Sequence, residues 1–203
     1  LRGQRVGSLN QGSADPRHFA PDAATDLLEH LAAVTAICID NSVNRARLQR
    51  DGLTDMLTQV ANRRLFDRRL HEEVSQWLRR GGELSCLLVD LDCFKQINDQ
   101  HGHQAGDLVL KEVARVLSKE LRTSDVLARY GGEEFVAVLL ETPKSGAAIR
   151  AENIRKAIES NPFTHGDKQP LGKLTVSGGY AEFPTDGQSV ESIIEAADRA
   201  LYA

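Results

Sequence analysis

Asp90 and Asp92 close a dense apolar run, Leu84 to Leu91, that has the length of a buried strand. Strand side chains alternate faces, so both carboxylates fall on one side, a few ångströms apart. Carboxylates that close repel unless a cation lies between them, which points to a metal site. Asp92 alone has a second reading, as the cap of a short helix begun by Cys93-Phe94-Lys95. A further acidic pair stands in Arg129-Tyr130-Gly131-Gly132-Glu133-Glu134-Phe135. Gly131-Gly132 reads as the tight turn of a hairpin, since glycine reaches positive φ without steric cost and leaves room for a ligand. Solvated glutamates beside a plain turn are the bland account. Convergence of Glu133 and Glu134 on Asp90 would instead describe a Mg2+ site completed by water and substrate phosphates. Two such ions would activate an attacking oxygen and neutralise charge on a leaving phosphate.

A third constellation runs from Phe94 to Asp107. Lys95 can place a point charge on a phosphate. Asn98 and Asp107 offer an amide and acceptors, the equipment to meet the N1–H and N2–H2 donors of a guanine edge. Each also suits a cap or a turn, because Asn98-Asp99 can end one helix and Asp107 lies in the first turn of the next. His101 and His103 could ligate a metal, but neither has a partner at helical spacing, and packed or surface histidines account for them. The cysteines suggest apolar packing only.

These residues need elements to carry them. Leu65, Phe66, Leu70, Val74 and Trp77 recur at helical spacing until Gly81-Gly82. After the strand at 84–91, a helix is expected over Gln104 to Leu121. Val126 to Tyr130 and Glu133 to Leu140 form a hairpin. A helix over Ser145 to Ser160, a strand over Leu174 to Phe183 and a helix over Ser189 to Tyr202 complete the chain. From Leu84 onward the order is β-α-β-β-α-β, the ferredoxin-like arrangement of an α+β domain. Such a sheet is antiparallel, with helices on one face, and it lays the strand ending at Asp90 beside the hairpin.

The first fifty residues read differently. Residues 1–21 are rich in Gly, Ser, Asn, Gln and Pro, and from Asp22 to about Arg50 neither Pro nor Gly occurs. Leu27, Leu28, Leu31, Val34 and Cys38 fall at steps of three and four, which argues for a long helix. It is either a core helix running into a solvated linker or a helix that pairs with its copy along positions 27, 31, 34 and 38. The longest apolar run, Leu31 to Ile39, is broken by Thr35 and falls short of the ~18 residues a membrane span needs. No signal-peptide pattern opens the chain, which begins at Leu1 and so is expected to be cut from something longer. Three cysteines without framework spacing suit a reducing cytoplasm. With a net charge of −4 the chain has no blanket attraction for nucleic acid or anionic lipid, so a polyphosphate must be held by a local device.

At this point the motifs match a family. Asp55-Met56-Leu57-Thr58-Gln59-Val60-Ala61-Asn62-Arg63-Arg64 resembles the D-x-L-T-G-L-x-N-R-R opening of GGDEF domains, the diguanylate cyclases. Asp90 to Leu110 resembles their D-x-D-x-F-K-x-x-N-D-x-x-G-H-x-x-G-D-x-x-L segment without a gap. Arg129 to Phe135 is the GGEEF form of the signature. Val176-Ser177-Gly178-Gly179 and Ala197-Asp198-Arg199-Ala200-Leu201-Tyr202 resemble the late S-x-G and A-D-x-A-L-Y motifs. The resemblance covers residues 51–203, while residues 1–50 resemble the closing strand (Arg5-Val6-Gly7-Ser8-Leu9) and helix of a GAF-type sensor domain.

What the resemblance implies is a palm-type cyclase domain that condenses two GTP into cyclic di-GMP and releases two pyrophosphates. It assigns Asp90, the Leu91 carbonyl, Glu133 and Glu134 to metal, Mg2+ or Mn2+, two ions per site. Glu133 and Lys95 are the catalytic residues, Glu133 as general base. Asn98, Asp107, Gly131, Gly132, Phe94 and His103 line the substrate. Arg122 and Asp125 fit an R-x-x-D inhibitory site for the product, although the same four residues can simply turn the chain. The partners implied are GTP, cyclic di-GMP and a second copy joined through the linker helix, in a cytoplasmic signalling protein. The alternative is a catalytically silent domain that binds cyclic di-GMP as a regulatory module. Three departures stand out. Gln59 and Val60 replace the usual Gly and Leu, which is expected to alter local packing only. Asn153 stands where some members carry a second inhibitor-binding arginine. The sequence stops at Ala203, before the A-K and G-R residues that contact phosphates in relatives.

Overall fold

A computed structural model describes residues 31–41, 52–164 and 172–202. The chain divides into two compact units, Leu1–Gly52 and Leu53–Ala203. Within the first, residues 31–41 are helical (α1), and Leu31, Val34 and Cys38 are exposed along it. The expected strand at Arg5 to Leu9 and both ends of the long helix lie outside the described residues.

The second unit is built on β2 (Leu84–Leu91), flanked by β4 (Glu134–Leu140) and β5 (Val176–Phe183). β3 (Val126–Arg129) lies beyond β4, and the short β1 (Ala61–Asn62) closes the five-stranded order β1-β3-β4-β2-β5. All neighbours run antiparallel except β1 and β3, which pair parallel, so the sheet is mixed rather than wholly antiparallel. β2 reads as an unbroken apolar run because both its faces are covered. Leu87, Val89 and Leu91 enter one core; Leu84, Cys86 and Leu88 enter the other.

The helices between strands pack on one face, as the ferredoxin-like order requires. These are α3 (Phe94–His101), α4 (His103–Glu120) and α5 (Lys144–Ser160). The opposite face, expected to be open, is covered by α2 (Arg63–Arg80) and α6 (Val190–Leu201). Both lie outside the β-α-β-β-α-β unit, so its topology could not place them. Asn62 caps α2 by accepting from the Leu65 amide at 3.1 Å, and Ser189 caps α6 in a reciprocal box with Ser192. The backbone of α6 rests directly on Gly179, where a Cβ would collide with the Ala197 carbonyl and the Leu201 amide.

Gln59 does more than alter packing. It sits at φ 62, with its amide donating to the Asp55 carbonyl at 2.9 Å. A side chain in that left-handed region costs about 1 kcal/mol, which glycine avoids. Gln59→Gly is therefore expected to stabilise the domain by about 0.5–1 kcal/mol, read as a rise in Tm.

Candidate functional site

The strand register brings the acidic residues together. Asp90, at the end of β2, stands opposite Glu134 on β4 and opposite Ser177 on β5. Side chains directly opposite across an antiparallel pair have Cβ atoms ~5 Å apart. Glu133 precedes Glu134 at the mouth of the same strand. Burial pushes the Asp90 carboxyl up to about 6, and the charges of Glu133, Glu134 and Asp92 push in the same direction. A half-buried carboxylate in the field of three others would be relieved by a cation.

Asp92 is not the cap of the short helix that the sequence offered. The N-cap of α3 is Cys93, in the left-handed region at φ 58 and without a side-chain cap bond. Asp92 turns instead to the start of β5, accepting from the Thr175 hydroxyl at 2.6 Å and the Ser177 hydroxyl at 2.7 Å. Its amide donates to the Thr175 carbonyl at 3.1 Å. Asp92 pins the last strand beside Asp90.

The signature turn also differs from the expected two-glycine hairpin. β3 ends at Arg129 and β4 begins at Glu134, so Tyr130 to Glu133 form the connection, and neither glycine has positive φ. A Cβ at Gly131 would meet only the far end of the Glu134 side chain, whose carboxylate would have to move aside. Arg129 braces the turn from within, donating to the Gly132 carbonyl from Nη2 at 2.6 Å and from Nε at 3.2 Å. Its Nη1 meets Asp55 at 3.3 Å, and Asp55 accepts from the Thr58 hydroxyl and amide at 2.6 and 2.8 Å. Burial alone would raise the Asp55 carboxyl, but the Thr58 bonds and the Arg129 charge hold it below its usual value. Tyr130 packs edge-on to Phe66, with the Arg63 guanidinium 4.3 Å above its ring. Sequence reading named these residues as motif members without roles. The Asp55-x-x-Thr58 spacing, typical of a carboxylate holding a local turn, was the available signal.

Lys95, the second residue of α3 and five positions after Asp90, is exposed. Gly102 separates α3 from α4, and Gly106 lies so close to the Asn98 carboxamide that a Cβ would displace it. Asp107, the next residue, is exposed on the first turns of α4, so Asn98 and Asp107 flank one junction. His103 opens α4 and is exposed. Phe94 is buried in the core against Gly106 and supports this junction from below. Arg122 and Asp125 lie on the turn into β3, away from these groups in the chain. Asp125 holds that turn by accepting from the amides of Arg122 at 2.9 Å and Leu140 at 3.3 Å, while the Arg122 residue is exposed.

Among the described residues no group of three or more His, Cys, Asp and Glu side chains is placed to hold a metal ion. The donor set of Asp90, Glu133, Glu134 and the Leu91 carbonyl nevertheless fits Mg2+, which takes one or two carboxylates and keeps water and phosphate ligands. Hard oxygen donors with mutual repulsion are the chemistry such an ion relieves.

A mixed sheet with carboxylates on adjacent strand ends, backed by an exposed lysine, defines a palm-like nucleotidyl cyclase fold. Residues 52–203 match the family described as diguanylate cyclase, GGDEF domain, and the chain belongs to that family. Diguanylate cyclase A of Treponema denticola is 36% identical over 206 residues, covering 99% of this chain and 54% of that protein. Diguanylate cyclase DgcP of Pseudomonas aeruginosa is 44% identical over 150 residues, covering 74% of this chain and 22% of its own length. The chain thus spans about half of the first relative and about a fifth of the second. The coiled coil and GGDEF domain of DgcB from Caulobacter crescentus, solved with c-di-GMP, superposes with a TM-score of 0.79. It is 35% identical, covering 87% of this chain and 93% of that one.

Proposed function

We propose that this chain carries a diguanylate cyclase domain, condensing two GTP into cyclic di-GMP with loss of two pyrophosphates. The observation that carries the reading is the convergence of Asp90, Glu133 and Glu134 at neighbouring strand ends. Bound there, Mg2+ or Mn2+ (two ions per site) would withdraw charge from the phosphates and sharpen the attacking oxygen. Asp90, Glu133, Glu134 and the Leu91 carbonyl would hold the ions. Glu133 takes the proton from the 3′-hydroxyl of one GTP as that oxygen bonds to the α-phosphorus of the other. The bond to pyrophosphate breaks in the same displacement, and a second, symmetric displacement closes the ring. Lys95 steadies the phosphates, and Gly131 and Gly132 leave the turn bare where the nucleotide approaches. His103 and Phe94 frame the guanine end of the substrate, the first from solvent and the second from the core. Incubation of the full-length protein with GTP or ATP and Mg2+, followed by nucleotide separation, tests this. Cyclic di-GMP from GTP alone supports it; no dinucleotide product refutes it and favours the silent, product-binding alternative.

Each domain holds one GTP, so two must face one another. The exposed Leu31, Val34 and Cys38 on α1 suit a seam with a second copy, making a homodimer through the linker helix. The upstream segment then belongs to a GAF-like sensor, with residues 1–50 as its remnant and 51–203 as the output domain. No helix among the described residues is long and apolar enough to cross a membrane. We place the protein in the cytoplasm, where GTP is available.

Asn98 and Asp107 read guanine. Asp107→Asn swaps an acceptor for an amide and leaves guanine donors unmatched, a loss of about 1–3 kcal/mol. Preference for GTP over ATP is expected to fall roughly ten- to a hundredfold. Unchanged discrimination would move base recognition elsewhere.

Arg122 and Asp125 form the product-inhibition site. With Asp125 already fastening its turn, the Arg122 guanidinium supplies the clamp on a phosphate. Arg122→Ala is expected to weaken inhibition by added cyclic di-GMP about tenfold or more, leaving the initial rate near that of the parent. Progress curves on both proteins make the comparison, and equal inhibition would reduce the motif to a turn.

A further inference from the structure

The end of α6 reaches the carboxylate site. Its backbone lies on Gly179 so closely that a Cβ would meet the Leu201 amide and Cα. Gly179 is two residues along β5 from Ser177, which stands opposite Asp90. The residue that follows Leu201 is Tyr202, 76% exposed, and its hydroxyl makes no hydrogen bond among the described residues. The Asp90 charge is the first cause raising the phenol above its ordinary value, followed by burial, Asp198, Glu134 and Glu133. Strand register and helix docking put the end of α6, and with it Tyr202, at the rim of the same cluster.

We propose that Tyr202 is a substrate-contacting residue, its hydroxyl donating a hydrogen bond to the triphosphate held at the Asp90–Glu133–Glu134 cluster. This rests on the cyclase reading given above. Among four carboxylates a cationic side chain would pair with them; a neutral hydroxyl remains available for a phosphate oxygen once the metal is bound. A phenol keeps its proton at neutral pH, so Tyr202 acts as a donor and not as a base. The ring is anchored through α6 rather than through its own packing, so loss of the hydroxyl leaves the fold untouched.

The test is the affinity of the full-length protein for an α-thio analogue of GTP with Ca2+, and for GMP, by titration calorimetry. Tyr202→Phe keeps the ring and removes only the donor. Affinity for the triphosphate should fall about tenfold while that for GMP stays within about twofold. In turnover the loss should appear in KM rather than kcat, since the bond forms in ground and transition states alike. Parent-like triphosphate affinity in Tyr202→Phe overturns the assignment alone. An equal loss for GMP overturns the contact with the triphosphate. Failure of the parent to bind the GTP analogue overturns the cyclase reading and this inference with it.

Discussion

Replacing Glu133 by Gln will lower the rate of cyclic di-GMP formation by at least ~10²-fold, because one change removes the proton acceptor and a metal ligand. The substitution keeps size and shape, and Glu133 lies on a turn held by Arg129 and Tyr130, so the fold is expected to survive. The loss should fall on kcat more than on KM for GTP. Initial rates by nucleotide separation, with melting curves as the control, provide the measurement. Activity within a few-fold of the parent would take the base assignment away from Glu133.

Asp90→Asn should reduce turnover as severely and yet stabilise the metal-free protein. Burial, with the charges of Glu133, Glu134 and Asp92, raises the folded carboxyl from 3.8 to about 6. Below the lower value Asp90 is neutral in folded and unfolded chains alike, and it does not bear on stability. As pH rises from 3.8 towards 6 the unfolded chain ionises more readily, so stability falls, and it stays reduced above 6. Converted in full, the shift would weigh about 3 kcal/mol against the fold. Asp90 is partly solvated, so about 1 kcal/mol is the expected effect. Asparagine removes that penalty, raising Tm by roughly 2–4 °C at pH 7.5 without metal. Mg2+ should raise the Tm of the parent and leave Asp90→Asn unmoved. A lower Tm for the variant, with Mg2+ still effective, would show that the cluster is not under electrostatic strain.

Much of this was legible in the residues because the relevant signals are local. The apolar run from Leu84 ends in Asp90, the pair Glu133-Glu134 follows a glycine turn, and the element order sets both on neighbouring strands. Other features depend on partners far along the chain. Nothing around Asp92 announces Thr175 and Ser177, which meet it only because β5 returns beside β2. A cap was the natural local reading, and a tertiary bond replaced it. The second helical layer escaped for a similar reason, since α2 and α6 flank the motif that defines the topology. Gln59 shows the opposite case. Its departure from glycine was visible at once, but its backbone angle could only be seen in the folded chain.

The pairing of β2 with β5, Leu84 against Phe183 at one end and Leu91 against Val176 at the other, also has a meaning in time. During synthesis at about 5–20 residues per second, β2 leaves the ribosome on the order of 5–20 s before its second neighbour exists. Through that interval one edge of the most apolar strand in the domain is open, and Asp90 lacks the Ser177 that later stands opposite it. Any chaperone dependence of this protein should therefore concentrate on nascent chains that end between β4 and β5. Truncated chains of that length should aggregate, and they should be rescued by a supplied copy of residues 174–202.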